Sequence, residues 1–273
     1  MLGLKRILLL LTVIILAATS AFSATVRRDL AKESGLEQVL SKNRLRVGFS
    51  TFVPWAMKNK KGEFVGFEID VARKLATDMG VEIEFVPTKW SGIIPALLTG
   101  KFDVLIGGMG ITPERNLKVN FTDPYEFSGM SIVASNKLPG KTAISSFDQQ
   151  QVTIVARIGT TAAEAAKKYL PHADLRLFDD EGQALQEVLN GRAMAMVASQ
   201  PFPEFQSLKY PERLYLPLGG ATFTKEPIGI AIGKGDIDFL NFLNNWIRVR
   251  QSDGWLQDRF NYWFTTQDWQ GQM

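Results

Sequence analysis

The segment from Phe64 to Tyr125 decides the fold: FVGFEIDVARKLATDMGVEIEFVPTKWSGIIPALLTGKFDVLIGGMGITPERNLKVNFTDPY. Its apolar residues recur at helical spacing between Ile69 and Met79, and Gly80 ends that helix. An alternating strand follows, and a second helix leads into a buried strand at Val104 to Ile106. The segment therefore predicts two helix-strand units of an α/β protein.

The same alternation returns in the second half of the chain. Strands are predicted at 130–134, 152–156, 175–178 and 193–198, with helices beginning near Thr160 and Gly182. A proline-rich stretch from Pro201 to Pro217 reads as irregular, and a strand at 228–232 precedes a long aromatic-rich helical tail at 239–264. Strands that alternate with helices indicate parallel sheets, and two such series indicate two lobes.

The first 23 residues have the order of a secretory signal peptide. Lys5 and Arg6 precede a short apolar run, and the small residues Ala21 and Ser23 precede the expected cut. The run is shorter than the roughly 20 residues that span a bilayer. We therefore expect a cleaved signal and a periplasmic protein; an uncleaved membrane anchor is the alternative.

Charge and composition favour a soluble binding or enzyme domain over a nucleic-acid-binding protein. Removal of Lys5 and Arg6 with the signal leaves 29 basic against 28 acidic residues. A near-neutral chain lacks the basic excess that phosphate backbones select. The chain has no cysteine and a single histidine, His172, so we expect no disulfide, no transition-metal site and no cofactor.

The TPER turn at 112–115 predicts an anion site. Thr112 can cap the helix that begins there, and the first-turn N–H groups lack helical partners. Arg115 adds a permanent charge whose planar fork matches a carboxylate. Together they favour a small ligand that carries a carboxylate.

These motifs, in this order, resemble those of the family-3 extracellular solute-binding proteins, which serve amino-acid ABC transporters. The resemblance covers Leu45 to Phe264 and includes VGFEIDVARKLA, the stretch from Lys89 to Arg115, FTDPY and the final DGWLQDRFNYWF. It implies a two-lobed periplasmic binding protein fold (type II), with lobe 1 at 41–127 plus 229–273 and lobe 2 at 128–228. The implied partners are a small carboxylate-bearing ligand and a membrane permease, and the implied state is a monomer.

The resemblance also implies a ligand site at particular positions. Arg115 would bind the ligand carboxylate, and Phe52 and Trp90 would enclose its side chain, with Trp55 close by. The backbone at Gly108 and Gly110 would approach the ligand. The second lobe would contribute the remaining positions, which are Thr160, Thr161, Arg157 and Ser199.

Three positions depart from the family pattern. Many members have an acidic residue at Phe49, a hydroxyl at Gly110 and an aspartate at Ser199, where the aspartate pairs with the ligand amine. A buried ammonium without a partner costs several kcal/mol. The departures favour an organic acid, a dicarboxylate or a modified amino acid, and an aromatic or apolar ligand body would suit contacts with Phe49, Phe52, Trp55 and Trp90. An ordinary amino acid remains possible if Glu164 or another acid reaches the amine.

Two other functions remain open on this scaffold. A dehydratase resembling periplasmic cyclohexadienyl dehydratase would need a general acid in the cleft, but Phe202 stands near the position where that acid is expected. The remaining acids nearby are Glu164 and Glu204. The other alternative is a stand-alone sensor that presents its closed form to a receptor.

Overall fold

A computed structural model describes residues 34–137, 140–266 and 268–272. The predicted signal peptide therefore lies outside the described residues. Of the helices in the described ranges, none combines the length and the apolar character that a membrane crossing needs.

The elements alternate along the chain. The first are α1 (Gly35–Ser41), β1 (Arg44–Phe49), β2 (Met57–Lys58), β3 (Phe64–Val65), α2 (Phe67–Met79), β4 (Glu82–Pro87), α3 (Ile93–Leu98), β5 (Val104–Leu105), α4 (Pro113–Asn116), β6 (Asn120–Phe121) and β7 (Glu126–Ser128). The others are β8 (Met130–Ser135), β9 (Thr153–Arg157), α5 (Thr161–Tyr169), β10 (Asp174–Phe178), α6 (Glu181–Leu189), β11 (Ala195–Ser199), α7 (Phe202–Lys209), β12 (Leu214–Tyr215), β13 (Glu226–Ile228), β14 (Ala231–Ile232), α8 (Ile237–Ser252) and α9 (Trp255–Phe260). Short 3-10 helices lie at Trp90–Gly92, Ile144–Phe147 and Asp268–Gln272, and a π-helical turn at Asn261–Thr265.

Each lobe is built on a five-stranded sheet. The first has the order β4-β1-β5-β14-β6 and the second β10-β9-β11-β8-β12. The pairs β1–β4, β1–β5, β9–β10 and β9–β11 are parallel, as the alternation of strands and helices predicts. The sheets are mixed, however, because β14 runs antiparallel to β5 and β6, and β8 antiparallel to β11 and β12. These antiparallel strands begin where the chain enters a lobe from the other one, so no crossover helix sets their direction.

Two strands join the lobes. β7 and β13 pair antiparallel, with Glu226 opposite Ser128 and Ile228 opposite Glu126. They lie at the residues where the sequence predicts the two crossings. The exact lobe boundaries stay a prediction.

Helix α2 shows how the sequence sets the packing of the first lobe. Its apolar side chains at 67, 69, 71, 72, 75 and 76 are all buried. Phe67 meets the C-terminal tail through Phe260 and Phe264, at ring distances of 6.4 and 5.2 Å. The tail aromatics are therefore packing contacts on the first lobe, as their spacing predicts.

Two predicted elements differ in the structure. The tail is interrupted at Gly254, whose φ of 79° lies in the left-handed region that a continuing helix excludes. The proline-rich stretch contains helix α7, because Pro203 lies in its first turn, where a missing N–H costs no hydrogen bond.

Candidate functional site

A cleft of about 450 Å³ lies between the two lobes. Residues of the first lobe, the second lobe and strand β13 all contribute to its wall. The predicted positions that line it are Phe52, Trp90, Gly108, Gly110, Arg115, Arg157, Thr160, Thr161 and Ser199. Residues that sequence reasoning did not select also line it: Met130, Ala162, Glu181, Glu226 and Ile228.

Phe49 does not belong to this site. It is fully buried and packs edge-on against Phe64 and Phe85, at ring distances of 4.9 and 5.7 Å. Strand β1 runs parallel to both β4 and β5 in the interior of its sheet, and parallel sheets are packed on both faces. Phe49 is a core residue, and its prediction as a ligand contact is corrected.

Trp55 lies behind the cavity wall. Its ring stacks on Phe52 at 5.7 Å, and its indole N–H donates to the carbonyl of Gln200 in the second lobe, at 3.3 Å. It is 2% exposed and is absent from the cavity lining. Trp55 therefore holds Phe52 in place, and the prediction that it contacts the ligand is corrected.

Arg115 is held by the turn that the sequence singled out. Its backbone N–H donates to the hydroxyl of Thr112, which caps helix α4. The guanidinium donates to the carbonyls of Gly110 and Gly159, at 2.7 and 3.1 Å. Burial lowers the pKa of Arg115, but a guanidinium stays charged. Its remaining N–H groups are available to a ligand in the cleft.

Trp90 lies between two arginines. The guanidinium carbons of Arg115 and Arg157 lie 5.7 and 5.6 Å from the centre of its ring. Its indole N–H donates across the cleft to the carbonyl of Gly159, at 2.9 Å. Trp90 therefore both lines the cavity and joins the lobes.

Trp90→Phe is expected to weaken ligand binding by about 2- to 10-fold. The substitution keeps an aromatic ring and removes one hydrogen bond between the lobes, a net loss of about 0.5–1.5 kcal/mol. Titration calorimetry measures the change, and Trp255→Phe in the tail is the matched control. Equal affinities for the wild type and Trp90→Phe would show that the bond does not support the bound form.

Arg157, at the end of β9, is 6% exposed. It donates to the hydroxyl of Ser50 in the first lobe, at 2.6 Å, and to the carbonyl of Asp179, at 3.1 Å. Burial lowers its pKa, and the nearby Glu181 carboxylate opposes that shift. Arg157 thus places a second positive charge in the cleft.

Helix α5 directs its N-terminus at the cavity. Thr160 caps it by accepting from the N–H of Ala163 at 3.2 Å, and the same hydroxyl donates to the carbonyl of Arg157 at 2.6 Å. The hydroxyl of Thr160 is thereby engaged within the protein. What this end offers an anion is the first-turn backbone N–H groups at Thr161 and Ala162.

The backbone at Gly108 and Gly110 forms the floor of the cleft. Gly108 has φ of 63°, and a Cβ there would lie 2.7 Å from the ring of Phe52. A Cβ at Gly110 would lie 2.9 Å from Oε2 of Glu226 and 3.6 Å from Nη1 of Arg115. The missing side chain at Gly110 therefore leaves room for the carboxylate of Glu226 beside Arg115.

The acids of the cleft are Glu226 and Glu181. Glu164, which the sequence offered for the ligand amine, is exposed and pairs with Lys167 at 2.8 Å. Sequence reasoning missed Glu226 because it lies far along the chain from the TPER turn, and Glu181 because first-turn acids usually only favour the helix dipole. The sequence feature that could have pointed to Glu226 was Gly110, where the hydroxyl side chain of many family members is absent.

Ser199 makes a hydrogen bond within the protein. Its Oγ lies 2.7 Å from Oγ of Ser128 on strand β7. The position still lines the cleft, but it offers a shared hydroxyl in place of a charge. Ser199 therefore offers a ligand amine a neutral contact and no charge partner.

A buried acid lies beneath the floor. Both carboxyl oxygens of Glu68 accept from the hydroxyl of Tyr125, at 2.9 and 2.7 Å, and the backbone of Gly108 also hydrogen-bonds this carboxyl. Burial raises the pKa of Glu68 to about 8. The pair connects helix α2 to the strand end that carries the floor.

Comparison with known proteins gives a consistent result. The family described as bacterial extracellular solute-binding proteins, family 3, matches residues 45–266. The L-cystine-binding protein TcyJ of Escherichia coli K12 is 29% identical, over 87% of this chain and 88% of that protein. Cyclohexadienyl dehydratase of Pseudomonas aeruginosa is 25% identical, over 85% and 87%.

A solved structure is similar at higher identity. It is a putative ABC transporter binding component from Wolinella succinogenes, complexed with lysine, with 40% identity and a TM-score of 0.79. The alignment covers 84% of this chain and 99% of that chain.

Proposed function

Because the chain belongs to the bacterial extracellular solute-binding proteins of family 3, we propose that it captures a free α-amino acid in the periplasm and delivers it to an ABC importer. The observation that carries the proposal is the placement of both Arg115 and Glu226 beside Gly110 in the lining of the cleft. A cation and an anion that face one small cleft match the carboxylate and ammonium of an amino acid.

The two charges are free to bind a ligand. Among the described residues, neither Arg115 nor Glu226 takes part in an ion pair. Arg115 and the N–H groups at the start of α5 receive the carboxylate. Glu226 receives the ammonium, so the missing aspartate at Ser199 is no longer a reason to prefer an organic acid. Phe52 and Trp90 cover the side chain.

Lobe closure follows from how the contacts are divided. Arg115 and Trp90 belong to the first lobe, α5 and Arg157 to the second, and Glu226 to the strand between them. Only a closed cleft provides all of these contacts at once. The ligand therefore binds the closed form more tightly than the open form and stabilises it. Strands β7 and β13 are the proposed hinge.

Loss of the ligand amine is expected to weaken binding by more than tenfold, about 1.4 kcal/mol. A thermal-shift screen of amino acids first identifies the ligand, and calorimetry then compares it with its des-amino analogue. Glu226→Gln should weaken the amino acid similarly and leave the analogue nearly unchanged, because both changes remove the same contact.

The exposed Glu212→Gln is the control for this experiment. If the wild type binds the des-amino analogue as tightly as the amino acid, the ligand is an organic acid and the proposal is wrong.

A second candidate function is suggested by the dehydratase relative and by Glu181. Phe202 is buried and Glu204 is exposed, and neither lines the cleft, so the predicted segment supplies no general acid. Glu181 does line it, and burial raises its pKa to about 7, a value suited to proton donation. Prephenate turnover that is lost in Glu181→Gln would favour the enzyme over transport.

A further inference from the structure

Glu181 lines the cleft and carries a buried carboxyl oxygen that has no hydrogen-bond partner among the described residues. The residue opens helix α6 and is 8% exposed, and the oxygen without a partner is Oε2. A buried carboxylate oxygen without a donor is unfavourable, so the arrangement calls for a donor from outside the protein.

The neighbours of Glu181 are engaged elsewhere. Arg157 gives its described hydrogen bonds to Ser50 and Asp179. Asp180 accepts from the N–H of Gln183 as the cap of α6, at 3.0 Å. Arg157 attracts the carboxylate and Asp180 repels it, but neither supplies a proton donor to Oε2.

Glu181 is associated with Arg157, whereas Glu226 is associated with Arg115. Among the carboxylates that act on Arg157, Glu181 has the strongest effect. The acids that act on Arg115 are Glu226, Glu114 and Glu164, with Glu226 the strongest. The guanidinium carbons of Arg157 and Arg115 lie 5.6 and 5.7 Å from the centre of the Trp90 ring. The cleft therefore has one acid for each arginine, and Glu181 is the one that remains once Arg115 and Glu226 hold the amino-acid head.

We propose that Glu181 binds a nitrogen donor at the distal end of the ligand side chain: an amine, a guanidinium or an amide. The proposal rests on the proposed function, since it assumes that Arg115 and Glu226 hold the amino-acid head. An aliphatic side chain would leave Oε2 unpaired. An acidic one would place two carboxylates together and force one of them to keep a proton.

Matched ligands test the proposal. Calorimetry compares L-lysine with L-norleucine, and L-glutamine with L-glutamate, each pair being similar in length. The nitrogen-bearing member is expected to bind at least tenfold more tightly in at least one pair and to be no weaker in the other. Comparison of L-arginine with its neutral isostere L-citrulline then separates a cationic donor from a neutral one.

Variants assign the preference to Glu181. Glu181→Gln keeps the shape and should reduce the preference to less than threefold, whereas Glu212→Gln should leave it unchanged. Tighter binding of L-norleucine or L-glutamate by the wild type would overturn the proposal. If another amino acid binds and none of these does, the proposal for Glu181 fails; if no amino acid binds, it is the proposed function that fails.

Proton release gives a second readout. Burial raises the pKa of Glu181 in the empty cleft, and a nitrogen donor on Oε2 favours the ionised form. The other charges that line the cleft are Arg115, Arg157 and Glu226, with Asp180 beside Glu181. The arginines do not titrate near neutral pH.

Calorimetry at pH 7 in buffers of different ionisation enthalpy measures this exchange. Binding of the nitrogen-bearing ligand should release protons in the wild type and much less in Glu181→Gln, with Glu226→Gln separating any contribution from Glu226. Proton uptake on binding would show that a protonated Glu181 donates to an acceptor on the ligand, which contradicts the proposal.

Discussion

Arg115→Ala is expected to weaken ligand binding by about 2–5 kcal/mol, because it leaves a desolvated carboxylate without its charge partner. The guanidinium is half-buried at the cleft floor and already oriented by the carbonyls of Gly110 and Gly159. Such preorganisation lowers the entropy that a ligand must lose on binding. The loss should exceed that of any other single substitution in the cleft.

Controls separate this effect from unfolding. Arg192→Ala removes an exposed arginine that pairs with Glu187, and it should leave affinity unchanged. Arg115→Lys keeps the charge but loses the planar fork, so it should fall between the wild type and alanine. Calorimetry gives the affinities, and circular dichroism checks the fold. A folded Arg115→Ala that binds normally would remove Arg115 from the site.

The free energy of unfolding is expected to fall as the pH rises from about 5 to about 8, and Glu68 is the main cause. Its pKa in the folded protein is raised from 4.5 to about 8 by burial, so the unfolded chain loses this proton first. The stabilisation is fully present below pH 4.5 and is lost as the pH passes through about 8. At 1.36 kcal/mol per unit the change is at most roughly 4–5 kcal/mol.

Glu68→Gln should flatten this dependence. The amide keeps an acceptor for the hydroxyl of Tyr125 and cannot ionise. Urea unfolding at pH 5, 6.5 and 8 measures the slope, with Glu212→Gln as the exposed control. Glu181, whose pKa is raised to about 7, contributes in the same direction and remains in the variant. A wild type whose stability is constant or rises over this range would show that Glu68 is ionised in the folded protein.

The sequence predicts the local parts of the site well. Residues close together in the chain determine the apolar spacing of α2, the strand β1, the cap of α4 and the position of Arg115. Propensity and periodicity report such short-range preferences. The two-lobed fold predicted from the family motifs is confirmed by the similar solved structures.

The charges that pair across the cleft could not be predicted in the same way. Glu226 reaches Gly110 because β13 returns to the first lobe more than a hundred residues later, with Ile228 bridging to Gly110. Glu181 reaches the cavity through the packing of α6 on the second sheet. Phe49 was misplaced for a related reason, since its packing partners Phe64 and Phe85 come from later segments of the chain.

Strand β14 has a consequence for the order in which the molecule assembles. It lies between β5 and β6 in the first sheet, although more than a hundred residues separate it from either strand. The second sheet, in contrast, draws all its strands from one continuous stretch between Met130 and Tyr215. Closing the long loop to β14 carries a larger entropic cost than local pairing. The second lobe can therefore form on its own while the first waits for the last sixth of the chain, so the ligand cleft is the final part of the protein to be completed.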